Sequence, residues 1–205
     1  GQWGRGTRVA VIDAGFDKAM DARANGDLPT TWFARDFTGA GLYTESHHGT
    51  ACAEIVHDIA PEAELYLIKV ASISDLEAAT DLVIQDGIDV VTMSLSWYGY
   101  GYGDGKGLTC ELVDEASQNG ILWVNSAGNY ATQVYSHMSN DTDGDGLHEF
   151  TGNLELLELE NVSAGSRVNI WLTWYDWPLT GVDCDLLLYR LSPDGAADLV
   201  DYSDT

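Results

Sequence analysis

The chain has 205 residues, 45% of them apolar, enough for one well-packed domain and too many for a disordered chain. Its 33 acidic residues against 9 basic ones give a formal charge of −24, so nucleic acid is a poor partner, because binding phosphates takes clustered Lys and Arg. No run of about 18 apolar residues exists to span a membrane, and Cys52, Cys110 and Cys184 form neither a disulfide framework nor a zinc pattern.

Residues 8–13 are almost wholly apolar, the texture of a strand buried on both faces. The same texture recurs at 65–70, 89–95 and 121–125, with helical patterns between at 48–59, 74–87 and 109–119. The last of these ends at Asn119-Gly120, a sound helix stop. Strands alternating with helices predict a doubly wound α/β domain around a parallel sheet. After Gly128-Asn129 the texture changes. A polar loop at 138–148 leads into period-two segments at 154–160, 167–175 and 184–189, which predict an antiparallel β-sandwich. The expected boundary lies near residue 140, giving an α/β domain over 1–139 and a partial sandwich, inserted or appended, over 140–205.

In an open parallel sheet, ligands collect beyond the carboxyl ends of the strands. Asp13 ends the first strand, His48 opens the helix that returns to 65–70, and Asn129 follows the last α/β strand. The three can approach one edge although they are far apart in the chain. A histidine can take a proton from a weak hydroxyl nucleophile near neutral pH, and a buried carboxylate fixes its tautomer. Asp13 fits that orienting carboxylate and His48 fits the base. Taken singly, each segment has a blander meaning as a turn former, a helix start or turn chemistry.

Taken jointly, Val9-Ala10-Val11-Ile12-Asp13-Ala14-Gly15-Phe16-Asp17, His48-Gly49-Thr50 and Ser126-Ala127-Gly128-Asn129 resemble, in that order, three segments of the subtilase family of serine peptidases. The resemblance is good over residues 7–129. It implies a subtilisin-like α/β sheet, Asp13 and His48 as catalytic acid and base, and the Asn129 amide as an oxyanion donor. His48 is preferred to His47 because the family's histidine directly precedes Gly-Thr. A protein or peptide substrate and an extracellular or cell-surface location are implied too. Ser94-Leu95-Ser96 resembles the family's Ser-Leu-Gly strand end, whose backbone pairs with extended substrate, with Ser96 where glycine is usual. The aromatic run Trp97–Tyr102 that follows could line the cleft or cover it. Cys52 resembles the cysteine that proteinase K-type members carry after the histidine, although Ala51 and Glu54 depart from that segment; a small core residue is its other meaning.

The family's nucleophile, in a Gly-Thr-Ser-Met-Ala-like helix start, is missing, since none of the 13 serines has that context. The serine is therefore expected beyond residue 205, and the chain alone is expected to be inactive. A catalytically silent binding or assembly module, and a ligand-binding sandwich carried on a subtilase scaffold, remain as rivals. Nothing in the sequence speaks to oligomeric state. No cofactor is expected for the chemistry. Calcium is a candidate structural ion at Asp141, Asp143 and Asp145, where alternating carboxylates precede Gly146 and Glu149 could add a ligand. Gly152 stands at position twelve, so this is no EF-hand.

Overall fold

A computed structural model describes residues 3–44, 46–130, 133–159, 162–163, 165–175, 181, 183–192, 194 and 196–203. Five parallel strands form the main sheet: β1 (Arg8–Asp13), β2 (Phe33–Asp36), β3 (Glu64–Lys69), β4 (Val90–Met93) and β5 (Leu122–Asn125). Their order is β2-β3-β1-β4-β5, which puts β1 at the centre. Helices α1 (Ala19–Asn25), α2 (His48–Ile59), α3 (Ile73–Gln85) and α4 (Leu108–Gln118) connect them.

Strand periodicity decides which side each residue serves. Ala10 and Ile12 of β1 join Tyr66, Ile68, Val91 and Met93 in a core covered by Leu76, Ala79 and Val83 of α3 and by Leu112 and Ala116 of α4. Val11 points the other way, into a second core with Leu65, Leu67, Ala19 and Ala22 of α1, and Ala53 of α2. A sheet covered on both faces needs apolar residues at odd and even positions alike, which is why β1 and β3 read as continuous apolar runs. The same alternation puts Asp13 on the α2 side of the sheet, two residues beyond Val11.

The segments at 8–13, 65–70, 89–95 and 121–125 all contain strands, and the three expected helices form within two residues of their expected ends. β5 differs from the expectation of burial on both faces. Leu122 is 61% exposed and Val124 49%, because β5 has a neighbour on one side only and no described helix covers that face. Two elements carried too little pattern to be read. α1 is seven residues long and follows Lys18 at φ 69°, with no side-chain cap. β2 is four residues, Phe-Ala-Arg-Asp, without alternation.

Beyond the sheet, β6 (Leu187–Leu191) and β7 (Ala197–Tyr202) pair antiparallel in a separate two-stranded sheet with an irregularity between Leu188 and Tyr189. The described parts of 154–160 and 167–175, expected as sandwich strands, form none apart from one isolated bridge, Thr151 to Leu154. Their alternating leucines stay in solvent, Leu154 and Leu157 about half exposed; alternation supplies an apolar face but not the neighbouring strand that a ladder needs. The chain divides into two compact units, one of residues 1–128 with 172–205 and one of residues 129–171.

Helix α3 starts with a reciprocal cap. Ser72 Oγ accepts from Asp75 N, and Asp75 accepts from Ser72 N at 3.0 Å. Ser72→Ala removes half of this box and is expected to destabilise the chain by about 0.5–2 kcal/mol. Urea unfolding followed by circular dichroism measures it; an unchanged midpoint would mean that the cap is idle.

Candidate active site

β1 ends on Asp13, which is 1% exposed, and the chain then turns sharply through Ala14 and Gly15. One carboxylate oxygen, Oδ1, accepts the Ala14 N–H at 2.8 Å. The other, Oδ2, meets His48 Nδ1 at 2.7 Å. The first turn of α2 rests directly on this corner. Gly49 N donates to Gly15 O at 3.2 Å, and a methyl group on Gly49 would stand 2.6 Å from Gly15 O and 2.7 Å from Asp13 Cβ. Only glycine permits that approach. Thr50 Oγ1 donates to Asp17 O, and Ser46 Oγ accepts the His48 N–H at 3.1 Å, so the helix start is fastened on both sides of the histidine.

The ring of His48 faces outward, its side chain 52% exposed against 1% for Asp13. A carboxylate only accepts, so the Nδ1–H bond to Asp13 leaves Nε2 with its lone pair toward solvent. His47, the helix cap, is exposed and has no such carboxylate partner among the described residues. Burial pushes the Asp13 carboxyl above its ordinary range; the hydrogen bond and charge of His48, then the N–H groups of Ala14 and Gly15, pull the other way.

Cys52 lies one turn along α2, and its sulfur, His48 and Asp13 offer atoms all within 4.8 Å of one another. Burial raises the Cys52 thiol, the Ser94 hydroxyl lowers it by a hydrogen bond, and the Asp13 charge raises it again. Ser94 thus turns its hydroxyl toward α2. Past it, Leu95 O accepts from Asn125 Nδ2 at 3.4 Å, so the end of β5 holds the extended segment Ser94–Ser96 in line. Asn125 and the Cys52–Ser94 contact were not legible in the sequence, because both join residues from separate elements. The aromatic run packs onto itself and onto the C-terminal segment: Trp97 meets Tyr100 edge-on at 6.4 Å, and Tyr102 meets Tyr175 at 6.2 Å.

Asn129 is exposed and opens the second unit. Within that unit the Asp141, Asp143 and Asp145 carboxylates offer oxygens within 4.8 Å of one another. Asp141 also accepts from Gly144 N and Gly146 N. Glu149 is buried and accepts from Asn140 Nδ2 at 2.8 Å and from the backbone and hydroxyl of Thr142. Glu155 also belongs to this field, its carboxyl pushed up chiefly by Asp145.

The subtilase family profile matches residues 4–146, more than half of the chain. The chain belongs to the subtilase family. Among solved structures, this subtilase is similar to the PatG macrocyclase in complex with peptide, at 12% identity and a TM-score of 0.43. That similarity covers 64% of this chain and 53% of the other, so the chain spans about half the length of that structure. No curated protein matches it.

The raised Asp13 gives this subtilase a pH signature. Asp13 binds its proton more tightly folded than unfolded, so its contribution to stability is full below the ordinary carboxylate range and falls as pH rises through the folded value. Asp13→Asn keeps the shape without the buried charge and is expected to melt at or above the parent's temperature at neutral pH, with the gap closing in acid. Thermal unfolding across that range measures it; a variant several degrees less stable at neutral pH would show that the His48 bond outweighs burial.

Proposed function

We propose that this chain supplies the catalytic acid and base of a serine endopeptidase that cleaves extended protein or peptide substrates outside the cytoplasm. The observation that carries this reading is the 2.7 Å bond from the buried Asp13 carboxylate to His48 Nδ1. With Nδ1 fixed, Nε2 can take the proton of an attacking serine and return it to the leaving amine, while Asp13 stabilises the imidazolium between the two steps. Leu95 and Ser96, continuing from Ser94, would pair their backbone with the substrate, and Asn129 would donate to the oxyanion. The attacking hydroxyl would come from outside these 205 residues, because none of the 13 serines here stands in a Gly-Thr-Ser-Met-Ala-like helix start.

A serine-directed phosphonate tests this reading. It should label the gene product that carries the nucleophile and leave the 205-residue chain unlabelled. In that product His48→Ala should slow labelling by several orders of magnitude, since removing the base in subtilisin lowers turnover about 10⁶-fold. His47→Ala should leave the rate within a few-fold. Equal losses from the two variants, or labelling of Ser94, Ser96 or Ser126 in this chain, would sink the assignment.

The Asp141 loop is the proposed seat of a structural calcium ion, held by Asp141, Asp143 and Asp145. Each carboxylate oxygen that accepts a backbone N–H keeps a second lone pair for a cation, and calcium takes six to eight oxygens. Binding to the folded state alone stabilises by about 2.7 kcal/mol at a hundred times Kd. Calcium should therefore raise the melting temperature over that in chelator, and Asp143→Asn should shrink the difference. Identical melting in calcium and in chelator would remove the site.

A further inference from the structure

We propose that Lys69 is a positioning residue for His48: its buried ammonium fastens residues 37–44, and these, with Ser46, set the turn from which the base projects. The inference rests on His48 being the base.

Asp13, Lys69 and Asp36 are in register at the carboxyl ends of three adjacent strands, Asp13 opposite Lys69 and Lys69 opposite Asp36. Parallel partners in register project to the same face, here the α2 face. Lys69 is fully buried, so its charge demands partners. Nζ donates to Gly41 O at 3.0 Å and to Thr44 Oγ1 at 2.8 Å. Asp36 accepts from Thr38 Oγ1, Thr38 N and Gly41 N, and these bonds, with a smaller pull from the Lys69 charge, draw its carboxyl down against its burial. Gly41 is thus held from both ends, its N–H by Asp36 and its carbonyl by Lys69.

From there the loop runs to the active corner through a chain of bonds. Leu42 O accepts the Phe16 N–H at 3.1 Å, Ser46 O accepts the Asp17 N–H at 2.9 Å, and Ser46 N donates to Thr44 O at 3.0 Å. Ser46 Oγ then receives His48 N. These residues bond to Lys69 on one side and to the Asp13–Asp17 turn on the other, and Ser46 touches the backbone of the base itself. Removing the ammonium leaves Gly41 O and Thr44 Oγ1 without that donor, so the loop opens more often and carries the start of α2 away from Asp13.

The experiment reads the Asp13–His48 bond directly. In the isotope-labelled 205-residue chain, the His48 Nδ1 proton gives a low-field resonance whose exchange with water reports how often the pair opens. Lys69→Met should speed this exchange at least about tenfold while core amides of β1 and β3 keep their protection; a factor of ten corresponds to about 1.4 kcal/mol of local opening. A variant that is only less stable overall would speed core and imidazole exchange together. If Lys69→Met fails to fold, Thr44→Val decides, since it removes one Lys69 contact at an exposed position, and Thr44→Ser, which keeps the hydroxyl, serves as the rescue. Faster imidazole exchange in Thr44→Val and normal exchange in Thr44→Ser support the proposal. Exchange within twofold of the parent in the folded Lys69→Met chain, or in Thr44→Val, overturns it. Failure of the peptidase reading shows in phosphonate labelling instead and leaves this exchange measurement unaffected.

Discussion

A carboxylate withdrawn from water has to find partners where it lies, and the structure around Asp13 supplies them without fully offsetting its burial. Its position at the end of the central strand puts it beneath the first turn of α2, where Gly49 lets the helix come within contact of the corner. Two backbone N–H groups and one imidazole N–H then offset part of the cost of burying it. The histidine gains a fixed tautomer, and the sheet gains a polar end that cannot slip in register without burying an unpaired charge. The close approach of α2 and the direction of the His48 ring meet at this one charge.

How much of this the sequence disclosed depended on whether a signal was local. Apolar runs and helical periods are local, so the three longer helices and four of the five parallel strands stood out. β2 and α1 are too short for periodicity to accumulate, and each takes its conformation from neighbours: β2 from its ladder with β3, α1 from burial of Ala19 and Ala22. Asp13 and His48 could be named because their short flanking motifs travel with them. Lys69 could not, because a lysine ending an apolar strand looks like a solvated charge until the loop over it is seen. Asn125 and the Ser94 contact to Cys52 were hidden for the same reason.

The period-two segments after residue 150 show the reverse failure. Apolar and polar residues alternate there, yet among the described residues only the last of the three segments contributes to a ladder, through β6 and its partner β7. Alternation states which face would be buried; it does not provide the surface that buries it.

The outer edge of β5 brings a consequence for the chain in concentrated solution. No described strand pairs with it, and beside exposed Leu122 and Val124 it offers a template on which another extended segment can add. The charge of −24 works against such pairing between copies, since like-charged surfaces repel before their edges meet. That repulsion reaches only about 8 Å at physiological ionic strength and about 3 Å in molar salt. Colloidal behaviour is therefore governed by dissolved ions: dilute buffer keeps the copies apart, and concentrated salt lets the edges find one another.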